Sequence, residues 1–165
     1  MPEPLVHPFP PVEDGSCTIL ILGSFPSERS RKEGFFYGHP RNRFWKTLAA
    51  VYGDAGNVPE TIEEKKRFLL SRHIALWDAA GSCRVQGSSD ASIRDARPTD
   101  LAPLLSRNPI RHIYCSGTTA GKLYSAFHRE IPIPMTVLPS TSPANAAWTL
   151  SDLVGAWSTI KEDAP

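Results

Sequence analysis

The chain has 165 residues, of which 41% are hydrophobic and 21% are charged, and its formal net charge is +1. These values are ordinary for a soluble globular protein, and the net charge gives no global indication of a charged partner. The length predicts a single domain, over residues 1–165, that is large enough to bury its own hydrophobic core.

The cysteines and the apolar segments argue against several classes of protein. Cys17, Cys83 and Cys115 lie far apart without a CxxC pair, which argues against a disulfide framework, a zinc site and an iron–sulfur cluster. No apolar run approaches the roughly 18 residues of a membrane span, and the first ten residues, MPEPLVHPFP, do not resemble a signal peptide. We therefore expect a cytoplasmic protein without a membrane segment or a metal site.

Strands and helices alternate along the predicted chain. Residues 1–15 are rich in proline and predict an irregular arm on the surface. Apolar runs predict strands at residues 18–22, 73–77, 110–115 and 135–138. Apolar periodicity and capping residues predict helices at residues 43–52, 61–72, 99–108, 117–128 and from Thr149 onward.

This alternation predicts a parallel sheet with helices on both faces, a three-layer α/β/α sandwich around a central four-stranded parallel sheet. Ligands of such sheets bind beyond the carboxyl ends of the strands. The unusual loops, at residues 23–42, 78–90, 116–118 and 139–146, all follow a predicted strand. We expect them to converge on one crevice.

The loop after the first predicted strand, GSFPSERSRKEGFFYGHPRNRFW, carries most of the special residues. Gly23 and Pro26 predict a turn that also shapes the floor of a pocket. Three consecutive aromatic residues lie among arginines. For Tyr37, a role as the ring that stacks on a base is favoured over a role in the hydrophobic core. Asn42 is either a helix cap, which the local pattern favours, or an amide that holds a water or a substrate carbonyl.

Other polar residues near these loops have two interpretations each. Asp78 is either catalytic or, as we prefer, an acceptor that ties loops together. Arg84 contacts phosphate or forms an ion pair with Asp90. His39 is a structural or leaving-group neighbour rather than a metal ligand, and a nucleophilic Ser24–His39 pair is a weak alternative.

The loop at residues 139–146 holds three hydroxyl groups and an amide between two prolines. Ser142 followed by Pro143 is typical of a helix N-terminus, and helix N-termini and hydroxyl groups bind phosphate oxygens. A capped turn is an equal alternative. In the first loop, Arg41 and Arg43 are either phosphate contacts or solvated side chains.

The segments GSFPS, FYGHPRNRFWK and LPSTSPANA together resemble the uracil-DNA glycosylase superfamily. The chain is most similar to the hypoxanthine-DNA glycosylase branch, also called family six, and FYGHPRNRFWK is similar as well to mismatch-specific uracil-DNA glycosylases. The resemblance covers residues from about 19 to 157. It implies the same sandwich fold, no metal and no cofactor, and hydrolysis of the bond between a deaminated base and deoxyribose in DNA.

The resemblance also implies roles for individual residues. Asn42 matches the catalytic asparagine of the HPRN motif, where its amide would orient a water and accept one of its protons in a hydrogen bond. Tyr37 matches the base-stacking aromatic residue, and Phe25 stands where the mismatch-specific branch has an asparagine, which favours hypoxanthine over uracil. Substrate contacts are expected from Gly23, Ser24, Phe25, Pro26, Tyr37, His39 and Asp78. DNA contacts are expected from Arg41, Arg43, Arg84, Ser140, Thr141, Ser142, Pro143 and Asn145.

The sequence therefore predicts a monomeric DNA glycosylase of base excision repair. Its partner is DNA that contains deaminated bases, with abasic-site repair enzymes acting downstream. A uracil or xanthine glycosylase, or a catalytically inactive nucleic-acid-binding domain of the same fold, is the alternative. An acyl or nucleoside hydrolase would require a Ser–His pair or clustered carboxylates.

Overall fold

A four-stranded parallel sheet forms the centre of the protein. The structure, a computed structural model, describes residues 3–165. Its strands are β1 (Leu5–Val6), β2 (Ile19–Gly23), β3 (Ile74–Asp78), β4 (Ala80–Arg84), β5 (Arg94–Pro98), β6 (His112–Ser116) and β7 (Met135–Leu138). The central sheet has the order β3-β2-β6-β7, with every pair parallel. The predicted fold class, a four-stranded parallel sheet surrounded by helices, is confirmed.

Helices cover both faces of this sheet. They are α1 (Glu28–Glu33), α2 (Phe44–Val51), α3 (Ile62–Leu70), α4 (Ala102–Arg107), α5 (Thr118–Phe127) and α6 (Leu150–Trp157), with short 3₁₀ helices at Asp90–Ser92 and Ser158–Glu162. Helices α2 to α6 match the five predicted helices to within a few residues at most ends. The predicted capping box is present at Thr149, whose side chain and that of Asp152 bond each other's backbone N–H groups.

Strand β2 shows how the sequence produces the two-faced core. All five of its residues are buried. Because successive side chains of a strand point to opposite faces, Ile19 and Ile21 pack in one cluster with residues of α2, α3 and α6. Leu20 and Leu22 pack in a second cluster with residues of α4 and α5. A strand buried on both faces reads as a continuous apolar run, which is why this element was predictable.

A second, antiparallel sheet corrects the predictions for residues 1–15 and 78–90. Strands β1, β4 and β5 form a three-stranded sheet in the order β1-β4-β5. The arm predicted to be irregular thus contributes a strand, and Phe9 and Val12 in it are buried. Strand β4 lies within the segment predicted as a polar loop. Its sequence, AGSCR, shows no apolar alternation, so apolar periodicity does not predict a strand here.

Helix α1 corrects the prediction of one uninterrupted loop at residues 23–42. The six-residue sequence ERSRKE has no apolar face, but its ends are well marked. The Ser27 side chain accepts a hydrogen bond from the N–H of Ser30, and Gly34 ends the helix with a φ of 76°. Both are ordinary start and stop signals that sequence reasoning missed.

Within residues 3–165, no helix combines the length and apolar character needed to cross a membrane.

Candidate active site

The loops at the carboxyl ends of the central strands enclose one large cleft. Its volume is about 1090 Å³, and it is lined by residues that follow β2, β3, β6 and β7. The predicted convergence of the four unusual loops is therefore confirmed. Of the residues predicted to contact substrate or DNA, all but Arg41, Arg43 and Arg84 line this cleft.

Tyr37 differs from the two aromatic residues before it. Phe35 and Phe36 are 5% and 2% exposed and belong to the core, whereas Tyr37 is half-buried and lines the cleft. Its ring stacks on that of Phe44, with centroids 3.9 Å apart and planes 12° apart. Its φ of 52° is rare for a residue other than glycine, and such outliers cluster at functional sites.

The Tyr37 hydroxyl lies deep in the cleft. Burial raises the pKa of Tyr37 well above its usual value, and the nearby carboxylate of Asp78 adds to this, so the phenol stays protonated at neutral pH. The side chain of Ser116 lies close enough to oppose this rise in pKa, but within residues 3–165 no group meets the geometry of a full hydrogen bond to the buried hydroxyl. A buried donor without a partner is costly in a folded protein, and it is a feature expected where a ligand supplies the acceptor.

Asn42 connects the first loop to the second. Its side-chain Oδ1 accepts hydrogen bonds from the backbone N–H of Phe44, at 2.9 Å, and from the hydroxyl of Thr141, at 2.8 Å. The first bond satisfies the N–H at the start of helix α2, but the N-cap residue is Arg43, so the predicted cap is displaced by one residue. The second joins two loops that are 99 residues apart in sequence. Asn42 is half-buried and lines the cleft, so the cap and a role at the site coexist.

Arg43 fastens the same two loops through the backbone. Its guanidinium donates hydrogen bonds to the carbonyl oxygens of Ser142, at 3.2 Å, Asn145, at 3.1 Å, and Trp148. Its own N–H donates to the carbonyl of Thr141 at 3.0 Å. The structure thus gives Arg43 a structural role in joining the two loops, while the neighbouring Arg41 is exposed.

Asp78, at the end of β3, is held by the amino-terminal arm. Its Oδ2 lies 2.7 Å from Nε2 of His7, and both side chains are 5% exposed. Its backbone carbonyl accepts a hydrogen bond from the hydroxyl of Thr99 at 2.6 Å. The preferred interpretation, a residue that ties segments together, agrees with these bonds.

Gly23 lies where Asp78 and Tyr37 approach the backbone. A Cβ at this position would lie 2.5 Å from Oδ1 of Asp78 and 3.0 Å from the hydroxyl of Tyr37. The first distance is shorter than real Cβ atoms show and the second is unusually tight, so a side chain at residue 23 would require Asp78 to move. The expected turn at the floor of the pocket is therefore also a point of close approach.

Ser24 donates its hydroxyl to Oδ1 of Asp90 at 2.7 Å rather than to His39. This bond gives no support to the Ser24–His39 nucleophile alternative, since the side chain of His39 instead accepts the N–H of Arg41 at 3.1 Å. Desolvation raises the pKa of the Asp90 carboxyl, and the nearby Asp78 adds to the rise, although the bond from Ser24 opposes it.

The second loop forms turns, not the helix N-terminus that Ser142 and Pro143 suggested. The N–H of Asn145 donates to the carbonyl of Ser142 at 3.0 Å, which closes a turn, and the following helix α6 begins only at Leu150. The Asn145 side chain donates to the carbonyl of Ser140 at 2.9 Å. Thr141 is 1% exposed, so its hydroxyl serves Asn42 and not a phosphate.

The remaining predicted residues divide between the cleft and the outer surface. Phe25 and Pro26 are buried and line the cleft. Arg84 lies on β4, where its Nε forms an ion pair with Asp95 at 3.1 Å.

His7, Asp90 and Trp148 were not predicted as site residues, and Asp90 was named only as an ion-pair partner of Arg84. His7 and Asp90 contact partners 71 and 66 residues away, so no local pattern could have indicated either contact. Trp148 lines the cleft and is 38% exposed. A tryptophan so close to the second loop, at residues 139–146, is a sequence feature that could have indicated a residue of the site.

Comparison with known proteins places this cleft in a family context. Residues 10–161 match the family model described as the uracil DNA glycosylase superfamily. The hypoxanthine DNA glycosylase of Methanosarcina acetivorans is 36% identical over 139 residues, which cover 83% of this chain and 86% of that protein. The protein of the same name from Methanosarcina barkeri is 32% identical over 141 residues, with the same coverage of 83% and 86%.

A solved structure has the same fold. It is the solution NMR structure of a Methanosarcina acetivorans protein described as a candidate uracil DNA glycosylase. It has a TM-score of 0.78 and 31% identity, and the match covers 95% of this chain and 99% of that one. The fold is therefore that of a glycosylase-like α/β protein. The chain belongs to the uracil DNA glycosylase superfamily.

Proposed function

We propose that the protein is a monofunctional DNA glycosylase that removes hypoxanthine from deoxyinosine in DNA, in base excision repair. The observation that carries this proposal is that Tyr37 and Asn42 line one cleft in a chain that is 36% identical to a hypoxanthine DNA glycosylase. Uracil and xanthine are the alternative bases, since the contacts that select among deaminated bases depend on a few hydrogen bonds.

The cleft accommodates a base that has left the duplex. A base inside a stack is out of reach, so an enzyme of this kind extrudes it at a cost of roughly a few kcal/mol, less for a poorly paired deaminated base. Tyr37 stacks on Phe44 within a cleft that it also lines. Stacking of the extruded base on this ring returns about 1–3 kcal/mol.

The reaction is hydrolysis of the glycosidic bond. The oxygen of a water forms a bond to C1′ of the deoxyribose, and the bond from C1′ to the base nitrogen breaks. The electron pair leaves with the base, and the proton lost by the water balances the proton that the released base takes up. Asn42 is neutral and cannot be a strong base, so its role is to hold the water while the base departs.

A site in which Asn42 holds the water and no acid protonates the base favours hypoxanthine over adenine. Hypoxanthine leaves more readily as an anion, and a site built from oriented hydrogen-bond donors stabilises an anion without protonating it. The buried Tyr37 hydroxyl, beside Ser116, is one such donor. Phe25 provides no amide at the position where the mismatch-specific branch has asparagine, which further favours hypoxanthine over uracil.

DNA contacts are assigned to the mouth of the cleft. Arg41 is exposed, and Ser140, Ser142, Pro143 and Asn145 line the cleft on the second loop. Arg41 supplies the charge for a phosphate, because Arg43 is occupied by three carbonyl groups. We further infer that the protein acts as a monomer in the cytoplasm and hands its abasic product to downstream repair enzymes.

One assay tests the proposal. Duplex oligonucleotides with a single deoxyinosine, deoxyuridine or deoxyxanthosine are incubated with the protein, and abasic sites are then cleaved with alkali. We expect strand scission at deoxyinosine first. Scission only at deoxyuridine or only at deoxyxanthosine would show that uracil or xanthine, not hypoxanthine, is the base removed. Retained DNA binding without any scission would indicate an inactive binding domain.

A further inference from the structure

We propose that Asn42 acts through its amide nitrogen, as a hydrogen-bond donor to the attacking water, and that Thr141 is the positioning residue that holds the amide in this orientation. This inference rests on the proposed glycosylase function and specifies how the site performs it. It replaces the expectation that the amide oxygen accepts a proton of the water.

The amide oxygen of Asn42 is already saturated. A carbonyl oxygen has two lone pairs, and those of Oδ1 receive the backbone N–H of Phe44 at 2.9 Å and the hydroxyl of Thr141 at 2.8 Å. Both donors belong to well-packed parts of the protein, since Phe44 is fully buried and Thr141 is 1% exposed. No acceptor site is left on Oδ1 for a water.

The orientation of the amide is fixed by its partners. A backbone N–H can only donate, so the atom that faces Phe44 must be the oxygen, and Nδ2 must be on the other side of the amide. Within residues 3–165, the hydrogen bonds of this half-buried, cleft-lining side chain all go to Oδ1, and none leaves Nδ2. Nδ2 is therefore the atom that Asn42 offers to a ligand.

Thr141 makes this orientation stable. Without its hydroxyl, one lone pair of Oδ1 would be open, and a water could bind the oxygen instead of the nitrogen. The position of Thr141 is itself fixed, because its carbonyl accepts the N–H of Arg43 at 3.0 Å. A donor suits the reaction, because water that adds to a cationic sugar needs to be positioned more than activated.

The test compares single-turnover excision of hypoxanthine by saturating amounts of the variants. Asn42→Asp keeps the acceptor for Phe44 and Thr141, and aspartate is an equally good cap, but it removes the donor. We expect its rate constant to fall about 100-fold, close to that of Asn42→Ala. An Asn42→Asp variant as fast as the wild type would overturn the inference, since a carboxylate is the better acceptor.

Thr141→Val and Thr141→Ser test the positioning role. Valine has the same shape but no hydroxyl, so we expect the rate constant to fall about tenfold with DNA affinity unchanged. Serine restores the hydroxyl and is expected to restore the rate. If serine is as slow as valine, or valine is as fast as the wild type, the positioning role is overturned.

Thr47→Val is the matched control. Thr47 is a buried threonine of α2 whose hydroxyl has no partner in residues 3–165, and it does not line the cleft. We expect its valine variant to excise at the wild-type rate. Thermal melting of each variant separates a lost fold from a lost bond.

The outcomes also separate the two levels of the proposal. An inactive wild type overturns the glycosylase function and this inference together. An active wild type with a slow Asn42→Ala variant and a fast Asn42→Asp variant leaves the function standing and overturns only the donor role.

Discussion

The cleft contains two polar clusters that differ in charge and in origin. The amide cluster, Asn42, Arg43 and Thr141, joins the loops after β2 and β7. The carboxylate cluster, Asp78 with His7 and Asp90 with Ser24, gathers near the end of β3. Both clusters include residues of the loop after β2, but the amide cluster extends to β7 and the carboxylate cluster to β3, and these two strands are the edges of the central sheet.

The comparison indicates how a site for DNA tolerates acidic residues. Each carboxylate has a donor from within the protein: His7 for Asp78 and Ser24 for Asp90. In the amide cluster, Oδ1 of Asn42 and the terminal nitrogens of Arg43 have partners among residues 3–165, whereas Nδ2 of Asn42 makes no hydrogen bond there. We infer that the carboxylate cluster shapes the floor and that the amide cluster presents the reactive group.

Gly23→Ala is expected to give the largest effect on the carboxylate cluster. The new methyl group would meet Asp78 and Tyr37, and neither can easily yield, because His7 holds one and Phe44 stacks on the other. We expect a loss of roughly 1–3 kcal/mol in the free energy of unfolding and a decrease of about 100-fold in single-turnover excision.

Gly155→Ala is the control for this substitution. Gly155 lies inside helix α6, and nothing lies within 4 Å of the Cβ it would gain. Alanine there is expected to stabilise the protein by roughly 0.5–1 kcal/mol. Equal stability of the two variants in urea unfolding would contradict the close approach at Gly23.

His7→Ala tests whether the amino-terminal arm belongs to the site. It leaves the buried Asp78 carboxylate without its donor, so we expect a loss of roughly 1–3 kcal/mol in the free energy of unfolding. Val6→Ala, at a neighbouring residue that is 75% exposed, is expected to change it by less than about 0.5 kcal/mol. Similar losses for both would show that the arm contributes only through β1.

Arg43→Ala breaks the link within the amide cluster. Three carbonyl groups lose a charged donor, but water can reach this half-buried position, so we expect a loss of about 1–2 kcal/mol in stability. The neighbouring Arg41→Ala is expected to leave thermal melting unchanged. It should instead weaken DNA binding and reduce the slope of log K against log salt by about 0.9. If Arg41→Ala lowered stability and Arg43→Ala weakened DNA binding, Arg41 would be the structural residue and Arg43 the phosphate contact.

Asp90→Asn has the smallest expected effect and depends on pH. The pKa of Asp90 in the folded protein is raised above its ordinary value of 3.8. The folded protein therefore binds more protons than the unfolded chain between these two pKa values, and its stability falls as pH rises through this window. Asparagine cannot ionise and so removes this loss of stability. The Asp90→Asn variant is therefore slightly more stable than the wild type above the folded-state pKa, and the difference vanishes below pH 3.8. Parallel stability profiles of the two proteins would contradict the raised pKa.

The sequence predicted the central sheet and the amide cluster better than the carboxylate cluster. The buried strands are continuous apolar runs, and the HPRN and second-loop motifs are contiguous, so local reading found them. The bonds from His7 to Asp78 and from Ser24 to Asp90 depend on strands β1 and β4, whose sequences lack an apolar pattern. The Asn42–Thr141 hydrogen bond also joins residues far apart in sequence, so local patterns could not predict it. Both residues were singled out, but only the fold showed that one serves the other.

The most direct test of the account is the release of free hypoxanthine from a deoxyinosine duplex, measured by chromatography in a single turnover. The wild type is expected to release the base and leave an abasic strand. Asn42→Ala is expected to do so about 100- to 1000-fold more slowly while it binds the duplex with unchanged affinity. Release of hypoxanthine by the variant at the wild-type rate would show that Asn42 is only a helix cap and would contradict the account.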